Sequence, residues 1–158
     1  MEIITNIETL RKPNEIVKLS EVKNIKKVLA PKMINLMRRS NGCGLAAPQV
    51  GINKRFFIAL IDAKVRIFIN PEIKNVGAKT ETLLEGCLSI PGYVGQVERP
   101  VDVTIKYFDI NTLKMKKETF VGRGARIVQH EENHLRGIVF SDIAESIEPI
   151  TLNPSSES

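Results

Sequence analysis

Residues 128–137 read Val128-Gln129-His130-Glu131-Glu132-Asn133-His134-Leu135-Arg136-Gly137, and they hold both histidines of the chain, four positions apart, with a glutamate directly after the first. On an α-helix, positions i and i+4 share one face a turn apart, so both imidazoles can point a ring nitrogen at one metal ion. Glu131 would stand beside that ion. This H-E-x-x-H pattern supplies two neutral nitrogen ligands and a carboxylate able to take a proton from water at the metal. The competing reading is two core or surface histidines at an accidental spacing. With only 2 His among 158 residues that coincidence is uncommon, and a metal-binding helix is expected here.

Working outward, Gly122 and Gly124 introduce this helix and Gly137 follows it as a C-cap residue would. Upstream, from Arg55 to about Val121, the pattern is that of strands. Residues 55–61, 65–70, 80–84 and 101–108 are rich in β-branched and aromatic side chains and bounded by Asn, Asp, Pro or Gly. Val101, Val103, Ile105 and Tyr107 alternate with Asp102, Thr104 and Lys106, which marks a half-buried strand. Residues 113–121 are expected to form a hairpin with it through residues 109–112. Residues 138–143 return to strand or extended chain. Strands clustered without intervening helices argue for an α+β fold, with antiparallel sheets around the central metal-binding helix.

Nearer the N-terminus, residues 1–19 read as an extended lead-in. Ser20 is a plausible N-cap for an apolar series at Val22, Ile25, Leu29, Met33 and Leu36, spaced as a helix requires. Pro31 interrupts that helix, so a kink or a break is expected before it ends near Ser40-Asn41-Gly42. The following Gly42-Cys43-Gly44-Leu45-Ala46-Ala47-Pro48-Gln49 is glycine-rich and matches no phosphate-binding spacing; by itself it reads as an ordinary turn.

A length of 158 residues, 42% hydrophobic and 26% charged, suits one globular domain. The first ten residues carry acidic groups and no continuous apolar block, and no run approaches the length of a membrane span. A cytosolic or equivalent reducing compartment is expected, and the two cysteines, Cys43 and Cys87, are too few for a disulfide framework. The net charge is +5, with nine Lys or Arg between residues 11 and 39 facing only Glu15 and Glu21. No aromatic residue interleaves with them, so a solvated helix face is favoured over a nucleic-acid surface.

Two histidines leave a catalytic site one protein ligand short. Cysteine thiolate is a strong candidate, and Cys87 stands in Glu85-Gly86-Cys87-Leu88-Ser89. The three segments G-C-G-L-A-A-P-Q (42–49), E-G-C-L-S (85–89) and Q-H-E-E-N-H (129–134), in this order and at these separations, resemble the three motifs of the peptide deformylases. The resemblance spans about residues 1–145, taken as one catalytic domain, with residues 146–158 a short tail. It implies that Cys87, His130 and His134 bind one divalent metal, ferrous iron in this family and often replaced by zinc, nickel or cobalt. It implies further that Glu131 is general base and then general acid. Gln49 and the main-chain amide of Leu88 would stabilise the oxyanion, and Cys43, Gly44 and Gly86 would line a cleft that pairs with the substrate main chain. The substrate so implied is a nascent or released N-formylmethionyl peptide. A thiolate ligand leaves less net positive charge on the metal than a third imidazole would, a reason for the site to tolerate ferrous iron.

The chain departs from the family pattern in places. Asn133 stands where most members have Asp before the second histidine, which could alter support of the ligands. Cys43 replaces Val or Ile, read as a hydrophobic stand-in rather than an oxidation-sensitive thiol. Val94 stands where many members carry Arg, and Arg123 where an apolar pocket residue is common. Bacterial members often end in a long basic helix that contacts the ribosome; this chain stops too early for it, so that docking is not expected. A reduced lineage such as an organelle or a virus is expected as the source, placing the protein in the cytoplasm, an organelle matrix or a host cytosol. No membrane or specific nucleic-acid partner is expected, and a monomer is. Other readings are an H-E-x-x-H peptidase, which leaves E-G-C-L-S unexplained, a closed structural site of Cys43, Cys87, His130 and His134, and a deformylase-like protein of weakened activity.

Overall fold

The strands follow from where apolar residues can be covered on both sides. In the computed structural model, which describes residues 1–150, Phe56–Ile61 forms β2, apolar throughout and packed on both faces except at the exposed Leu60. Phe56 and Ile58 meet one core; Phe57, Ala59 and Ile61 meet another on the opposite face. Flanking it are β1 (Gly44–Ala46) and β3 (Lys64–Val76), followed by β4 (Thr80–Cys87), β5 (Ile90–Pro100), β6 (Asp102–Asp109), β7 (Lys114–Val121) and β8 (Ser146–Pro149). The order β1-β2-β3-β6-β7 makes a five-stranded sheet and β4-β5-β8 a three-stranded one, every ladder antiparallel. The α+β architecture is therefore as the sequence implies. The last part of the expected tail, residues 151–158, lies outside the described residues.

The N-terminal helices cover one face of the larger sheet. They are α1 (Ile7–Leu10), α2 (Leu19–Asn24) and α3 (Ala30–Arg39), with a π-helical stretch at Ile25–Leu29 joining the last two. Pro31 sits in the first turn of α3, where its missing N–H costs little, and the π stretch just before it is the expected break. Ser20 is not the cap: α2 opens one residue earlier, and the Glu21 carboxylate accepts a hydrogen bond from the Lys18 N–H at 2.7 Å. Val22, Ile25, Met33, Leu36 and Met37 pack onto Leu45, Phe56, Ile58 and Ile69. The lysines of this segment point outward, as a solvated face should.

Against the other face lies α4 (Arg123–Leu135), burying Ala125, Val128 and Leu135 on Phe57, Phe68, Tyr107 and Phe120. Burying side chains the size of Val128 and Leu135 stabilises by about 1.5–3 kcal/mol each. Its C-terminal carbonyl at Leu135 accepts from Asn14 Nδ2 and Arg55 Nη1, both at 3.3 Å, and Gly137 leaves the helix at φ +74°. Arg11 packs its main chain so closely on Gly137 that a Cβ there would meet the Arg11 carbonyl oxygen at 2.9 Å.

Three stretches differ from expectation. Residues 1–19, read as an extended lead-in, contain the helical turn α1, whose start is capped by Asn6 Oδ1 accepting from the Thr9 N–H at 3.3 Å. Residues 90–100 form an 11-residue strand that two prolines and two glycines conceal in the sequence. Gly95 is required there because a Cβ would meet the Ser146 carbonyl oxygen at 2.8 Å and Phe140 at 3.0 Å. Residues 138–143, expected as extended chain, instead contain the short helix α5 (Phe140–Ile143); Asp142 accepts from the Val139 N–H and pairs with Arg11 at 2.8 Å. Beyond it β8 adds to β5, so the sheet continues through residues the sequence assigned to the tail.

Candidate metal centre

A helix whose buried face is polar needs a reason. Gln129, Glu131, Glu132, Asn133 and His134 of α4 are all buried, against the rule that the inward stripe is apolar. Such a conflict between pattern and burial marks a functional site. Here α4 passes under a cavity of about 570 Å³ whose walls are the edge of β1 and the edge of β4.

At its base Cys87, His130 and His134 each bring one donor atom, all within 4.8 Å of one another. Cys87 Sγ lies 3.4 Å from His134 Nε2, and the two imidazole rings stand 5.1 Å apart at 69°. Cys87 is delivered by the end of β4, just before the two-residue turn Leu88-Ser89 into β5. Two imidazoles and a thiol are the donor set of a three-ligand divalent site with a position left open. The Glu131 carboxylate adjoins them, with Oε2 buried and unpartnered among the described groups, as is His134 Nδ1. Converging donors beside an unpartnered buried carboxylate oxygen fit a cation.

Gly44 explains why the glycine-rich stretch matters. A Cβ at this position would lie 2.5 Å from Glu131 Oε1, so the carboxylate occupies the space a side chain would need. Gln49 is anchored at Oε1 by the Ala46 N–H at 2.9 Å, which aims its Nε2 at Ser89 Oγ, 3.1 Å, and Cys87 Sγ, 3.5 Å. Leu88 and Gly86 line the same cavity. At Gly86 a Cβ would make only ordinary contacts, with the Tyr93 carbonyl oxygen and Val94 Cγ1, both at 3.7 Å.

Behind the donors lies a charged cluster. Glu85 Oε1 accepts from His130 Nδ1 at 2.9 Å, which turns His130 Nε2 toward the cavity. The same carboxylate is gripped by Arg99 at 2.5 and 2.9 Å and by Arg126 at 2.6 Å. Burial would raise Glu85, but hydrogen bonds from His130 and Arg99, with the Arg99 charge, hold it down at about 2. Asn133 takes the remaining Arg99 donor at 2.9 Å through Oδ1. In the metal-free chain burial disfavours charge on His130, yet its bonds to Cys87 and Glu85 prevail and push it up to about 10. His134 is held well below its usual value by burial and by the His130 and Arg99 charges. A metal needs both rings neutral, so loading the site releases protons. Glu131 is pushed up to about 7 by burial, the charges of His130 and Arg99 opposing.

The profile of the polypeptide deformylase family matches residues 2–149. The chain belongs to that family. A peptide deformylase of Pseudothermotoga lettingae is 40% identical over 130 residues, covering 78% of this chain and 75% of that protein. Among solved structures, a deformylase of Synechococcus elongatus in complex with actinonin superposes with a TM-score of 0.85 at 35% identity, covering 92% of this chain and 79% of the other. A probable deformylase of Synechococcus phage S-SSM7 gives 0.84 at 36%, covering 90% and 99%. Family and donor set together imply one divalent metal.

Within this deformylase the structure brings together Gln49, Cys87, Leu88, His130, Glu131 and His134, with Cys43, Gly44 and Gly86 along the cleft. Cys43 is not among the converging donors. It accepts a hydrogen bond from Arg123 Nη2 at 3.4 Å, which removes the closed Cys2His2 reading. Sequence reasoning missed the roles of Ser89, Glu85, Arg99 and Arg126. For Arg99 a signal existed: it follows Val97 by two along a strand, and an arginine on an inward, apolar-spaced face needs a buried partner. No described helix is long and apolar enough to cross a membrane.

Proposed function

We propose that Cys87, His130 and His134 hold one divalent cation, ferrous iron, and that Glu131 moves the proton in hydrolysis of the formyl group. The reaction is removal of formyl from an N-formylmethionyl peptide, giving formate and a free amino terminus. When bound, the metal supplies Lewis acidity that makes water a nucleophile near neutral pH and polarises the formyl oxygen. Glu131 takes a proton as water adds to the formyl carbon. As the carbon–nitrogen bond breaks, Glu131 returns that proton to the departing nitrogen, which leaves as an amine. The Gln49 amide and the Leu88 N–H donate to the oxygen that gains negative charge. Substrate main chain pairs in the cleft with the free edges of β1 and β4, placing the formyl terminus at Glu131. The two free thiols suit a reducing cytosol or organelle matrix.

The observation that carries this reading is the buried, unpartnered oxygen of Glu131 beside three converging donors. Protein purified without oxygen should release formate from formyl-Met-Ala-Ser, and metal analysis should find iron at about one equivalent. Chelation should abolish release and ferrous iron restore it. Metal-loaded protein that releases no formate from any formylmethionyl peptide would overturn the reading.

A second expectation concerns Gly44. Gly44→Ala should displace the Glu131 carboxylate and lower kcat by about tenfold to a hundredfold, with metal content unchanged because Glu131 is not a donor. Steady-state kinetics with parallel metal analysis checks this; an unaltered kcat would show that the carboxylate need not stand where it does.

A further inference from the structure

We propose that Arg123 recognises an acidic side chain at the third residue of the formylated peptide, an inference that rests on the deformylase reading above. Arg123 opens α4 and lines the same cavity as His130 and Glu131. Among the described residues its side chain has one partner, Cys43 Sγ at 3.4 Å, a weak acceptor. The other cleft arginine, Arg126, is committed to the Glu85 carboxylate and to the carbonyls of Val97 and Glu81. The cleft carboxylates are committed too, Glu85 to its cluster and Glu131 to the reacting end. Arg123 therefore presents a guanidinium fork toward the cleft with no protein carboxylate on it, a group suited to bidentate recognition of a carboxylate.

The register follows from helix and strand spacings. Ile127 is the apolar residue of α4 that lines the cavity, three positions before His130, and in the proposed register it is the surface offered to the methionine side chain. Arg123 stands four residues earlier on the same face, about 6 Å along the axis. In an extended peptide, side chains one and three share a face and are about 6.6 Å apart. The cleft runs this way, since Gly44 of β1 abuts Glu131 while the preceding Cys43 meets Arg123. A carboxylate on the third residue thus meets the guanidinium, and a lysine there meets repulsion.

The test compares amidated formyl-Met-Ala-Glu and formyl-Met-Ala-Gln on the metal-loaded protein; amidation removes the terminal carboxylate as a competitor. The Glu peptide should be favoured about fivefold in kcat/KM, through KM rather than kcat, and less so at high salt. Arg123→Gln should bring the ratio near one, and Arg123→Glu should favour a lysine peptide instead. Kd values of the amidated product peptides Met-Ala-Glu and Met-Ala-Gln, which need no chemistry, should show the same ratio. Equal Kd and KM for the two, or a preference that persists in Arg123→Gln, overturns the inference while leaving the deformylase reading intact. Failure of every formyl peptide to react counts against that reading alone, because the Kd ratio still decides the role of Arg123.

Discussion

Glu131→Gln is expected to lower formate release by about two to four orders of magnitude while the protein keeps its metal and its stability. The substitution preserves shape and removes only the ability to take a proton. Glu131 is not one of the three converging donors, so metal content should not change. Its carboxyl is buried, and burial raises it to about 7 in the metal-free chain; a cation bound beside it would pull that value back down. Burial favours the protonated form and the cation the carboxylate, so both forms are available to a group that acts as base and then as acid. Glu131→Asp retains the carboxylate but withdraws it from Gly44, and should recover part of the loss. Single-turnover formate release with metal analysis on the same samples measures both effects. A Glu131→Gln protein within tenfold of the parent would assign the proton transfers elsewhere.

What the sequence conveyed, and what it withheld, divides along physical lines. The His130–His134 spacing and the alternation of residues 101–107 are local and periodic, and both are as expected in the folded chain. The break near Pro31 was legible because proline removes a donor, though its form, a π-helical stretch, was not. Residues 90–100 were hidden because glycine and proline read as punctuation, whereas Gly95 is demanded by Phe140, which stands 45 positions further along the chain. The helix at Phe140–Ile143 likewise depends on Arg11 meeting Asp142 from the opposite end of the sequence. In the site, the residues carried by the three motifs come together, while the cluster behind them stayed unread. Asn133 illustrates the difference: its departure from the family pattern was visible, but that it faces Arg99 was not. An Asp there would share the Arg99 charge between two carboxylates; with Asn, that charge serves Glu85 alone.

Removing that carboxylate while Arg99 remains should be the most damaging change to the fold. Arg99 is 4% exposed and its guanidinium has Glu85 and Asn133 as partners. Glu85→Leu leaves the cation buried with one neutral acceptor, and should cost about 3–5 kcal/mol in unfolding free energy, read from urea midpoints at fixed slope. Glu85→Leu combined with Arg99→Met removes both charges and should recover most of that loss, since Arg126 reaches partly to solvent and keeps two carbonyl acceptors. Metal affinity should not recover with it. His130 loses the acceptor that orients its ring in both proteins, so each should bind metal about tenfold to a hundredfold more weakly than the parent in chelator competition. Stability and affinity are thereby separated: one follows the pairing of Arg99, the other the bond from His130 Nδ1 to Glu85. If the double variant regained metal affinity along with stability, Glu85 would be an ion-pair partner of the arginines and not the residue that positions the ligand.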